Sequence, residues 1–124
     1  MAKKIAIVED DAAISQMYEL KLKHAGYQVK VASNGVEGLQ LVESFHPDVI
    51  LLDLMMPEMN GDEMLAEVRK MDWGKQIKVI ALTNISETEA PDNLKDLNVD
   101  HYAVKAHHTP TQVLEIVNSI SRAD

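Results

Sequence analysis

The chain has 124 residues, enough for one hydrophobic core and too few for two ordinary domains. With 46% apolar and 26% charged residues it reads as globular rather than disordered, and the lack of cysteine excludes a disulfide framework, a thiolate metal site and a cysteine nucleophile. A formal net charge of -8 works against binding nucleic-acid phosphates, and no stretch approaches the ~20 apolar residues of a membrane span, so a cytoplasmic protein without direct nucleic-acid or membrane contact is expected.

The run from Lys4 to Val8 is apolar, rich in β-branched residues and too short for a secretory segment, and it predicts the first strand. Ala12 to Ala25 then sets Ile14, Met17, Tyr18 and Leu22 at helical spacing, which predicts a helix with that face inward, stopped by Gly26. Asp11 is assigned to its cap. Gln28 to Ala32 is the second predicted strand, and Asn34 with Glu37 three positions later starts the second helix. Val49 to Leu52 and Ile77 to Leu82 are nearly unbroken apolar runs, the pattern of central parallel strands covered on both faces. Between them Asn60 and Glu63 mark the third helix. Ser86 with Glu89 is a weaker start, and Pro91 moves the beginning of a short fourth helix to its own position, with an end near Leu97. His101 to Val104 is the fifth strand, and Thr109 with Gln112, around Pro110, opens the last helix. The seven methionines are expected to fill core gaps, and His107-His108, without further ligands at suitable spacing, to form a polar loop.

This strict alternation, without repeat or linker, predicts one α/β domain over residues 1–124: a doubly wound (βα)5 fold with a parallel five-stranded sheet and right-handed crossovers. In such sheets ligands bind beyond the carboxyl ends of the strands. Those positions hold Glu9 and Asp10 after strand one, Asp53 after strand three, Thr83 after strand four and Lys105 after strand five. Three carboxylates gathered at one edge repel each other unless a lysine and a hard cation neutralise them, and Mg²⁺ suits such oxygen donors. Asp10 and Asp53 are the natural direct ligands. With Lys105 and the metal counted, the site is close to neutral, which leaves room for a phosphoryl group. Asp53 would then be the nucleophile, Lys105 would take up charge on the transferring oxygens, and Thr83 would donate a hydrogen bond.

These residues lie in the motifs Ile7-Val8-Glu9-Asp10-Asp11, Asp53 through Gly61, Leu82-Thr83 and Tyr102-Ala103-Val104-Lys105, which closely resemble the receiver domains of two-component response regulators over the whole chain. The resemblance implies a flavodoxin-like strand order of 2-1-3-4-5. It implies that Asp53 is phosphorylated from a sensor histidine kinase or a histidine phosphotransfer protein, and that Asp10, Asp53 and the Met55 carbonyl bind Mg²⁺, or Mn²⁺ in its stead, with Glu9 acting through water. Thr83 and Tyr102 match the family's coupled switch pair, which remodels the face of the fourth helix, fifth strand and fifth helix where a downstream target protein docks. Catalysis is expected only as phosphoryl transfer onto and off Asp53. No output domain is expected after Ala123 and Asp124.

Two positions depart from the family pattern. Lys105 is followed by Ala106 where receivers carry proline, so a trans 105–106 peptide and a reshaped loop are expected, since a cis bond before a non-proline costs ~2.5–4 kcal/mol. Asn84 stands where a small residue is usual, and Met55 and Ile85 fill the positions that tune dephosphorylation with bulky apolar groups. Slow loss of phosphate is expected. Two competing readings are a receiver-like interaction module that binds partners without phosphorylation, and a phosphohydrolase of the haloacid dehalogenase type. The second wants another aspartate where Met55 stands, and a flavin carrier finds few aromatics to stack on. A spectral response of Tyr102 or Trp73 to beryllofluoride and Mg²⁺ would separate a switch from a constitutive module.

Overall fold

The structure, a computed structural model, describes residues 3–56 and 58–122; Pro57 of the Asp53 to Gly61 motif and the terminal Ala123 and Asp124 lie outside the described residues. In chain order the elements are β1 (Lys4–Val8), α1 (Ala12–His24), β2 (Gln28–Ala32), α2 (Gly35–Phe45), β3 (Val49–Leu52), α3 (Gly61–Lys70), β4 (Lys78–Thr83), β5 (His101–Val104) and α4 (Pro110–Arg122). The strands form one parallel sheet in the order β2-β1-β3-β4-β5, as the resemblance implied.

The period-two alternation of each strand divides the core into two layers. Ile5, Ile7, Val49, Leu51, Ile80, Leu82 and Ala103 meet Tyr18 and Leu22 of α1 and Val113 and Val117 of α4 on one face. Ala6, Val8, Ile50, Leu52, Val79 and Ala81 meet Val42 of α2 and Met64, Leu65 and Val68 of α3 on the other. The helix starts read from sequence carry real caps. Asp11 accepts from Ile14 N–H at 3.1 Å, Asn34 from Glu37 N–H at 2.8 Å, and Thr109 and Gln112 exchange bonds at 2.8 and 3.2 Å. Glu63 reaches back to Asn60 N–H at 3.2 Å.

Four expectations need correction. The fourth strand lies one residue later than Ile77 to Leu82, because Thr83 still pairs in register with Val104. The fourth helix is a 3-10 segment, Asp92–Leu97, opened by a three-residue bond from Leu94 N–H to Pro91 O and ended by left-handed Asn98. Six residues are too few to recover the cost of an α-helical nucleus. Met17 does not join the inward face of α1 but is exposed with Leu20, since Tyr18 and Leu22 already fill that side. The methionines are divided: Met56 and Met64 are buried, while Met17, Met55 and Met71 face solvent.

One residue without a sequence signal organises the amino-terminal edge of the sheet. The Arg69 guanidinium at the end of α3 donates to the carbonyls of Gly74, Lys75 and Ile77 before β4 and of Leu97 and Asn98 before β5, at 2.8 to 3.3 Å. Its planar fork serves five acceptors that the short connections leave outside any ladder, three of them sharing Nη1.

Candidate functional site

Register brings the site together. Val8, Leu52 and Ala81 lie abreast in β1, β3 and β4, so Glu9 and Asp53 emerge side by side one residue later, and Thr83 leaves β4 opposite Val104 of β5. Asp53 N–H still donates to Val8 O at 2.9 Å and Glu9 N–H to Ala32 O at 3.0 Å, so both side chains spring from backbone that the sheet holds fixed. Glu9, Asp53 and Thr83 are buried, and Asp10 is exposed at the rim.

The loop after β3 is bonded to itself. Asp53 Oδ1 accepts from Met55 N–H at 3.2 Å, Asn60 Oδ1 accepts from Met56 N–H at 3.3 Å, and Gly61 N–H donates to Leu54 O at 3.1 Å. Gly61 is there for contact rather than conformation: a Cβ at this position would lie 2.2 Å from the Asp53 carbonyl oxygen. In the sequence Gly61 closes the motif that begins at Asp53 and follows a helix cap, but its contact with the Asp53 carbonyl depends on packing that no local pattern carries.

Lys105 closes the site from β5. Its Nζ lies 3.2 Å from Asp53 Oδ2 and forms a second ion pair with Glu9 Oε1, while Glu9 Oε2 accepts from Asp11 N–H at 3.0 Å. Burial raises the Glu9 carboxyl to about 7, with the Lys105 hydrogen bond opposing and Asp53's charge assisting. For Lys105, burial works against the ammonium, but the Glu9 hydrogen bond and the charges of Asp53 and Glu9 outweigh it and hold its pKa above the usual lysine value.

Carboxylate oxygens of Glu9, Asp10 and Asp53 lie within 4.8 Å of one another. Three carboxylates against one ammonium leave two negative charges, which a divalent cation cancels. All three donors are hard oxygens, so the set fits Mg²⁺ or Mn²⁺ better than a soft metal. The buried Thr83 hydroxyl has no hydrogen-bond partner, an orphan at the same sheet edge. These residues fit a divalent ion together with an oxyanion.

Tyr102 stands beside the exit of β4. Its hydroxyl donates to Ile85 O at 2.9 Å and lies 3.3 Å from Ser86 O, so the segment that begins at Thr83 also holds the tyrosine. Of the residues expected to tune dephosphorylation, Met55 and Asn84 are exposed, whereas Ile85 turns toward the core. Trp73 sits beyond the end of α3, its ring tilted at 47° against His46 with 4.8 Å between centroids, and on the amino-terminal side of β4, so it is badly placed to report on the site.

The 105–106 peptide is trans, and Lys105–His107 forms a 3-10 turn. This turn delivers Lys105 to Asp53.

The response regulator receiver domain model matches residues 5–118. A probable transcriptional regulator, ycf29, of Pyropia yezoensis is 33% identical over 100% of this chain and 55% of its own length. The DNA-binding dual master transcriptional regulator RpaA of Synechocystis sp. is 30% identical over 98% of this chain and 50% of its own length. The chain thus spans about half the length of the curated relatives it matches. Among solved structures, the chemotaxis protein CheY4 of Vibrio cholerae superposes with a TM-score of 0.88 at 29% identity, covering 96% of this chain and 98% of that one. Among the described residues no helix is long and apolar enough to cross a membrane.

Proposed function

This chain belongs to the response regulator receiver domain family of two-component signalling, and from that premise we propose that Asp53 is its phosphoacceptor. The observation that carries the proposal is the meeting of Asp53, Lys105 and the Glu9–Asp10 pair around one buried carboxylate, with the unsatisfied Thr83 hydroxyl beside them. The donor is a phosphohistidine on a sensor kinase or a histidine phosphotransfer protein. An Asp53 carboxylate oxygen attacks phosphorus, the P–N bond breaks, its electron pair returns to the imidazole, and the product is an acyl phosphate on Asp53.

Glu9, Asp10, Asp53 and the Met55 carbonyl would hold Mg²⁺ or Mn²⁺, Glu9 through water, and the bound ion supplies positive charge to the phosphoryl oxygens. The chain's own residues do the rest. Lys105 donates to a phosphoryl oxygen as its bond to Asp53 is exchanged, and Thr83 turns its hydroxyl onto another. Because the segment from Thr83 to Ser86 also holds Tyr102, movement at Thr83 is transmitted to the tyrosine and to the surface of the 3-10 segment, β5 and α4, where a downstream protein docks. Docking, rather than hydrolysis of an external substrate, is the output.

Treatment of the protein with acetyl phosphate and Mg²⁺, followed by intact mass and peptide mapping, tests this. A single phosphoryl adduct on Asp53, absent from Asp53→Asn and abolished by chelation, is expected. An adduct elsewhere, or none, overturns the assignment.

A further inference from the structure

The turn that carries Lys105 is closed by a single residue. His108 N–H donates to Lys105 O at 3.3 Å, and His108 Nδ1 lies 2.9 Å from Val104 O. A carbonyl oxygen only accepts, so Nδ1 carries the proton, and it remains a donor in both the neutral ring and the imidazolium. The two acceptors belong to the peptides that enter and leave Lys105, so His108 fixes the backbone on both sides of the lysine.

What holds His108 is α4. Thr109 caps that helix through its exchange of bonds with Gln112, and Val113 and Val117 anchor the helix in the core. Ala106 and His107 contribute no such constraint, since both are exposed and neither has a ring that fixes φ. A lysine has a long flexible stem that orders only if its base is fixed. Here the Lys105 side chain is only 9% exposed and reaches two carboxylates.

We propose that His108 is a positioning residue for phosphoryl transfer, its imidazole bonded to the Val104 carbonyl so that the backbone beneath Lys105 directs the ammonium at Asp53. This rests on the reading of Asp53 as phosphoacceptor. In the sequence His107-His108 signals only a polar loop, because the tie is a side-chain bond to a carbonyl four residues back.

The test compares rates of Asp53 phosphorylation by acetyl phosphate at saturating Mg²⁺, below the melting temperature of every variant. His108→Ala is expected to slow the reaction roughly tenfold, as displacement of a catalytic group does. His108→Asn, which offers an amide donor near the Nδ1 position, is expected to recover most of the rate, and His108→Ala added to Lys105→Ala is expected to cost nothing more. A second arm needs no phosphorylation: the Lys105 ammonium protons, held by two carboxylates, give a slowly exchanging NMR signal that His108→Ala abolishes and His108→Asn retains. If the wild type gains no phosphate, the phosphoacceptor reading fails and the ammonium signal alone decides the positioning. A wild-type rate in His108→Ala, an equal loss on the Lys105→Ala background, failure of the Asn rescue or an unchanged ammonium signal overturns the proposal.

Discussion

A methyl group at Gly61 is the most direct perturbation of the Asp53 backbone. The Cβ of alanine there would stand 2.2 Å from Asp53 O and 3.0 Å from both Asp53 C and Leu54 Cα. All three are main-chain atoms, so no side chain can rotate away. The start of α3 must retreat from the end of β3 by about 1 Å to restore ordinary van der Waals separation. Overpacking of this kind costs ~1–3 kcal/mol, and the stretched bond from Gly61 N–H to Leu54 O adds about 1 kcal/mol. The better helix propensity of alanine returns up to ~1 kcal/mol, so a net loss of about 1–3 kcal/mol is expected. At ~4 °C per kcal/mol for a domain of this size, Tm falls by roughly 4–12 °C. Phosphorylation of Asp53 should slow by up to about a hundredfold, the scale set by a 1 Å displacement of a reacting group. Gly74→Ala is the control, because its Cβ would meet Val68 O at 2.0 Å at the far end of α3. Thermal melts followed by circular dichroism, with phosphorylation rates taken well below each Tm, should show both variants destabilised and only Gly61→Ala slowed. Equal slowing of the two, or a wild-type rate in Gly61→Ala, refutes the reasoning.

Asp53→Asn should bind Mg²⁺ at least tenfold more weakly by calorimetry while keeping its fold, since one of three converging carboxylates is lost; unchanged affinity would remove Asp53 from the ligand set. Arg69→Ala strands five carbonyls and should cost about 3 kcal/mol in urea unfolding without changing the phosphorylation rate. Arg69→Lys should recover little, because one ammonium cannot span the fork, and full recovery would contradict that account. The Glu9 carboxyl is raised in the fold from 4.5 to about 7, so without metal the folded state holds a proton that the unfolded chain releases. Relative to Glu9→Gln, the metal-free protein should therefore lose stability as pH rises from the ordinary carboxylate range through about 7, and a gain over that interval would reverse the assignment.

The parts of this molecule that could be read from the sequence are those set by local periodicity or by the ends of strands. Unbroken apolar runs fixed β1 and β3 to the residue, and Asp11, Asn34 and Thr109 form the cap bonds their positions foretold. Glu9, Asp10, Asp53 and Lys105 converge because a parallel sheet delivers every strand's carboxyl end to one edge, so reading the positions after the strands brings these four together, while Thr83 is the last residue of β4 itself. The misread parts depend on distant backbone. The 3-10 segment at Asp92–Leu97 carries the composition of a helix, but its length decides the outcome. Arg69, Gly61 and His108 each act on main-chain carbonyls, which are the same in every residue and leave no pattern in the sequence.

Stability alone does not explain why such an edge is built. Glu9 and Asp53 are 4% and 6% exposed, and a buried ion pair is at best near break-even against apolar residues of similar shape. Here the balance is worse, because one ammonium serves two buried carboxylates, and the cost emerges as a Glu9 carboxyl raised by burial and, to a lesser extent, by Asp53's charge. The unsatisfied Thr83 hydroxyl adds a further penalty of ~1–3 kcal/mol. Each penalty would be relieved by the pair of ligands proposed for this site: a divalent cation would take up the surplus negative charge, and a phosphoryl group on Asp53 would give Lys105 and Thr83 acceptor oxygens. A chain that needed only to fold would gain by replacing these groups. An edge of this kind fits the proposed phosphorylation switch, in which an ion and a phosphoryl group satisfy groups that folding alone leaves strained.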